Sequence, residues 1–151
     1  MSTLPKYFDD LHVGERIVTP ARTITETDVV QFAQLTGDWN PIHTDAEFAR
    51  ASPYGERLAH GVLGLAIAIG LLDRTGTFSG SAIANLGFEE WRFTAPIKLG
   101  DTVRAIVTIT DLRPTSDGTR GIAGRAFELR NQRDEVVQAG RSAIMLKRRE
   151  Q

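Results

Sequence analysis

From Val62 to Leu72 every residue is apolar or glycine. The run is far shorter than the roughly 20 residues that span a bilayer, and its length predicts a buried helix interrupted by Gly64 and Gly70. His60-Gly61 opens it, and Asp73-Arg74-Thr75-Gly76 closes it with charge and a C-terminal glycine. A helix apolar on nearly every face must be wrapped by something else. The chain has 151 residues, so one domain covering 1–151 is expected. At that size roughly 70% of the surface of the unfolded chain is buried on folding, enough for a core without covalent staples.

The second half of the chain supplies the wrapping. Between Thr102 and Thr110, Val103, Ala105, Val107 and Ile109 alternate with mostly polar neighbours, the period of a half-buried strand. Similar runs at Ile83 to Thr94, Arg120 to Arg130 and Val136 to Leu146 are separated by segments rich in Gly, Pro, Asn and Asp. They predict an antiparallel meander, and Glu15 to Ile24 predicts a further strand. Thr25 or Thr27 then caps a helix with Val29, Phe32, Ala33 and Leu35 as its inner side. The fold class expected is α+β, an antiparallel sheet curled round one apolar helix.

Between the two helices lies Gly37-Asp38-Trp39-Asn40-Pro41-Ile42-His43. Pro41 has no N–H to give and disfavours helical angles at Asn40, so the chain must leave the first helix and double back. Such a bend can bring the carboxylate of Asp38 and the imidazole of His43 into one cleft. Asp38 and Asn40 are also common turn formers, and the bend by itself leaves that reading open. For His60, a structural hydrogen-bonding role is expected. A metal site built from Asp38, His43 and Asp45 or His60 has no established ligand spacing, and none is expected.

Three segments in this order, Gly37 to His43, Leu58-Ala59-His60-Gly61-Val62-Leu63, and Trp91 to Thr102, resemble the MaoC-like, R-specific enoyl-CoA hydratase family. The resemblance covers nearly the whole chain. It implies a hot-dog fold, with the sheet as bun and the central helix as sausage, and a homodimer. It implies as substrate an acyl-CoA or acyl-carrier-protein thioester, hydrated reversibly across its 2,3 double bond to the R-3-hydroxyacyl product. The family's catalytic Asp and His fall on Asp38 and His43. Trp39, Asn40, His60, Val62 and Leu63 are candidate substrate contacts. Some members carry a serine eight residues after the His-Gly glycine, where this chain has Ile69, a bulkier side chain that suggests a shorter or branched acyl group.

The chemistry follows from the residues as well. Hydration needs a base for water, a proton for the α-carbon, and donors for the enolate charge on the thioester oxygen. A carboxylate and a neutral imidazole can share the proton transfers, each positioned group contributing on the order of 10² to 10⁴ in rate. Gly61 at a helix start offers a free backbone N–H with no side chain in the way, and Val62 N–H is a second candidate. No metal or redox cofactor is called for. The acyl chain is expected along the buried helix, limited by Leu63, Leu65, Ile67 and Trp39.

Composition narrows the alternatives. With 18 basic and 19 acidic residues, no global charge draws the chain to nucleic acid or to an anionic membrane. Some of Arg92, Lys98, Arg104, Arg125 and Arg141 are expected along a path for the CoA phosphates. The absence of cysteine fits a reducing compartment, and the opening residues lack an apolar signal core, so a cytoplasmic location is expected. A hot-dog thioesterase and a non-catalytic acyl-thioester binding protein are the alternative functions, since a fold does not by itself choose a chemistry.

Overall fold

The computed structural model of the chain describes residues 4–149. After a 3-10 turn at Phe8–Asp10 come β1 (Arg16–Val18) and β2 (Arg22–Thr23), then α1 (Glu26–Thr36), α2 (Pro41–Thr44), α3 (Ala46–Ala51) and α4 (Gly61–Asp73). Four long strands follow, β3 (Ala82–Phe93), β4 (Thr102–Pro114), β5 (Arg120–Arg130) and β6 (Val136–Lys147). They form an antiparallel sheet in the order β1-β4-β5-β6-β3, with β2 also paired to β4. The sheet curls round α4, as expected of a hot-dog fold. Among the described residues no helix is long and apolar enough to cross a membrane.

The core lies between α4 and the inner face of the sheet. Val103, Ala105, Val107 and Ile109 are all 0% exposed, as their alternation predicts. Leu63, Ile67, Ala68, Leu71 and Leu72 of α4 meet them. Fully burying one such aliphatic side chain contributes roughly 1.5–3 kcal/mol.

Four details differ from the sequence expectation. The strand expected at Glu15 to Ile24 is two short strands, because Pro20 has no N–H for the ladder. Beside it, Thr19 Oγ1 accepts the Ala105 N–H at 2.9 Å in place of a backbone carbonyl. The meander is complete only for β4, β5 and β6, since β3 pairs with β6 and lies at the opposite edge from β1. Val29 and Ala33 of α1 are fully buried, but Leu35 is 83% exposed. At about 100° per residue it points roughly 160° away from Ala33. Finally, α4 is wrapped on one side only: Val62 is 57% exposed, and Ala66 and Gly70 continue that open stripe at four-residue steps.

Candidate active site

The site is built where α1 ends and α4 begins. Thr25 caps α1 by accepting the Asp28 N–H, and Gly37 stops it in a left-handed conformation, φ 78°, donating to Ala33 O. Asp38 follows at once. Its Oδ1 accepts the Asn40 N–H at 3.2 Å, and Asn40 Oδ1 accepts the Ile42 N–H at 3.1 Å. With Pro41 at its first position, α2 then starts in a fixed direction. Thr44 secures the bend by donating to the Trp39 and Asn40 carbonyls. The turn-forming and site-forming readings of Asp38 and Asn40 therefore coexist, because one carboxylate oxygen suffices for the turn.

His43 is on this short helix, and its Nδ1 is 2.7 Å from Leu58 O. A carbonyl only accepts, so Nδ1 carries a proton, and in the neutral form of the ring the lone pair is on Nε2. By the same argument His60 donates from Nε2 to Asp38 O at 2.9 Å. The two rings stack with centroids 3.8 Å apart and planes 27° apart. Phe32 of α1 closes on His60 at 4.9 Å. His60 is 3% exposed, and its Nδ1 has no hydrogen-bond partner among the described residues. It underpins both the Asp38 backbone and the His43 ring, as expected of a structural histidine.

A carboxylate oxygen of Asp38 and ring nitrogens of His43 and His60 lie within 4.8 Å of one another. Two hydrogen bonds of normal length meeting at one water span about 4.6 Å, so one water can bridge such a pair.

Gly61 faces a cleft of about 430 Å³ whose lining includes His43, Leu58, Val62, Phe93, Ile97 and Gln138. A Cβ at Gly61 would come within 2.9 Å of the Phe93 ring. As first residue of α4 it carries one of the N–H groups that no helical carbonyl can accept. Its carbonyl is held from the sheet by Gln138 Nε2 at 2.9 Å, while Gln138 Oε1 accepts the Trp91 indole N–H at 3.0 Å. Gln138 is 1% exposed. A Cβ at Gly64 would overlap its amide, so the mid-helix glycine is the space through which it reaches Gly61. The sequence reading missed Gln138; a glutamine at an inward strand position and a glycine inside an apolar helix are the signals it left.

The other candidates separate. Val62 lines the cleft with His43 and Gly61. Trp39 is 52% exposed and Asn40 is exposed beside Asp38, and Asp38, Trp39 and Asn40 all lie outside the lining of the cleft. Leu63 and Ile67 turn into the core. Of the basic residues, Lys98 pairs with Glu56, Arg104 with Asp134 and Arg141 with Glu90, while Arg125 is buried.

The sequence profile of the MaoC like domain matches residues 10–126. The chain belongs to the MaoC-like family. It is 35% identical over 108 residues to the (R)-specific enoyl-CoA hydratase of Rhodospirillum rubrum, covering 72% of each chain. It is 42% identical over 103 residues to Protein MaoC of Klebsiella aerogenes, where the match takes in 68% of this chain but spans only 30% of that longer protein. Among solved structures, the Monoamine oxidase regulatory protein from Archaeoglobus fulgius superposes with a TM-score of 0.89 at 34% identity, covering 97% of both chains.

Proposed function

We propose that this MaoC-like protein is a hydro-lyase that adds water reversibly across the 2,3 double bond of a 2-enoyl thioester, carried on CoA or an acyl carrier protein. The observation that carries this reading is the Asp38–His43 pair, close enough for one bridging water, beside a helix start whose N–H groups are free. The water gives a proton to the pair as its oxygen bonds to C3. The π electrons move through C2 to the thioester oxygen, where the Gly61 N–H and the positive end of α4 meet the charge. The proton then returns from the pair to C2 on the same face. No electrons are gained or lost, so no redox cofactor is called for. The R configuration rests on similarity to the Rhodospirillum rubrum hydratase.

The active unit is a homodimer in this reading. β3 pairs on one side only and exposes Ile83, Leu86, Phe88 and Phe93 at 40–56%, next to the open apolar stripe of α4. An unpaired edge and a contiguous apolar patch call for a partner. Two copies joined along β3 would make one continuous sheet with two-fold symmetry.

Crotonyl-CoA tests the function. Loss of the conjugated absorbance band, appearance of (R)-3-hydroxybutyryl-CoA and no release of free thiol are expected. Thiol release would indicate a thioesterase, and tight binding without turnover of any enoyl-CoA would indicate a binding protein.

A further inference from the structure

Arg125 occupies an inward position of β5, between the core residues Ala123 and Phe127, and is 3% exposed. Alternate residues of a strand share a face, so its side chain is on the α4 side of the sheet. The guanidinium carbon lies 5.2 Å from the centre of the Phe127 ring. One Nη donates to Ser142 Oγ at 3.0 Å, which donates in turn to Asn85 Oδ1 at 2.9 Å. Among the described residues the Nε–H has no acceptor. Desolvation by burial draws the arginine down to about 10, with no carboxylate acting against it. Arginine is seldom buried without an anion, because its planar fork loses water and gains no counter-charge.

Beside it is a cavity of about 230 Å³ whose lining includes Ile69, Leu72, Asn85, Arg125 and Ile144. Asp73 also lines it but is exposed, where solvent screens its charge. The cavity lies further along the helix whose first turn borders the catalytic cleft. On the sheet side, Gln138, which holds Gly61, and Ser142, which holds Arg125, are four residues apart on β6, about 13 Å of strand. The acyl chain of a thioester seated at Gly61 would have to run along α4 to reach Arg125.

We propose that this cavity receives the far end of the acyl chain and that Arg125 selects chains that end in a carboxylate. The substrate class is then 2-enoyl thioesters of medium-length dicarboxylic acids. This rests on the hydratase reading for the direction of the acyl chain. A carboxylate at the cavity wall would supply the counter-charge that the buried guanidinium lacks. A methyl-ended chain would leave the buried cation unpaired, and sites built round a polar partner discriminate strongly against analogues that lack it.

The test is a ladder of 2-enedioyl-CoA esters against methyl-ended enoyl-CoAs of equal length, with calorimetry on the saturated, unreactive esters in parallel. At the best-fitting length the carboxylate-ended member should be preferred by at least about 10-fold in kcat/KM and in affinity. Arg125→Met should erase the preference by weakening only the carboxylate-ended members, and Arg125→Lys should restore part of it. Turnover of crotonyl-CoA, too short to reach Arg125, is the reference against which the losses in both variants are read. Equal use of both series by the wild type, or equal losses on both in Arg125→Met, overturns the proposal. If the Met variant does not fold, the wild-type ladder alone decides. A carboxylate preference in calorimetry with no turnover of any member of either ladder would sink the hydratase reading and leave the carboxylate site standing.

Discussion

Replacing Gln138 with leucine removes one side chain that ties the sheet to the start of α4 while keeping the volume nearly constant. The change leaves Gly61 O and the Trp91 indole N–H without their partners at 2.9 and 3.0 Å. A buried group left unsatisfied costs about 1–3 kcal/mol. Trp91 is only half-buried and can recover some hydration, so the sum should fall near 3 kcal/mol, at the lower half of the roughly 2–6 kcal/mol range. For a chain of this length that is a fall in Tm of about 6–12 °C. Freed from its tether, the Gly61 N–H should also shift relative to the thioester oxygen, with up to about 10²-fold lost from kcat and a smaller change in KM. Urea denaturation with the slope held in common, thermal melts and steady-state kinetics on one enoyl-CoA measure all three. Stability within about 0.5 kcal/mol of wild type, together with an unchanged kcat, would refute the assignment of Gln138 as the residue that positions Gly61.

Other consequences are open to direct measurement. Gly61→Val should lower kcat by about 10² to 10³ by displacing the thioester oxygen from its donor, while circular dichroism shows a folded protein; outright unfolding would make the glycine structural. Asp28 is buried enough to raise its carboxyl, yet the Thr25 N–H and Arg22 outweigh this and hold it below its ordinary 3.8. Its contribution is therefore fully present above that value and lost as pH falls through the lower folded one. The stability gap between wild type and Asp28→Asn should accordingly narrow on acidification below about 4, and a gap that widened would reverse the sign of the argument. Light scattering should give a dimer at assay concentration, and an active monomer would remove the β3 pairing.

The parts of the fold legible in the sequence are those fixed by local periodicity. The eleven residues from Val62 to Leu72 could only be a buried helix, and the alternation at Val103 to Ile109 marks the inner face of β4. Strand order is a different kind of information. Nothing in Ala82–Phe93 says that it skips its sequence neighbour to pair with β6, since alternation reports a face and not a partner. Leu35 shows how a short helix misleads: α1 is anchored through Val29 and Ala33, a stripe too narrow to include it. In the candidate site, the approach of Asp38 and His43 to each other was legible because Pro41 forces the bend between them. The stacking of His60 beneath His43 and the reach of Gln138 past Gly64 to Gly61 were not, because both contacts join segments distant in sequence and depend on how α4 sits in the sheet.

The central claim is that Asp38 and His43 act as one unit on one water, and a double-mutant cycle on enoyl-CoA hydration measures that most directly. Asp38→Asn and His43→Ala should each lower kcat/KM by about 10² to 10⁴. Asp38 is exposed and His43 only half-buried, so each protein should remain folded. Because either change disables the shared water, the double variant should be little worse than the worse single, the non-additivity of groups that serve one step. Losses that multiply in the double variant, or near-normal turnover by either single variant, would contradict a shared water and with it the account of the site.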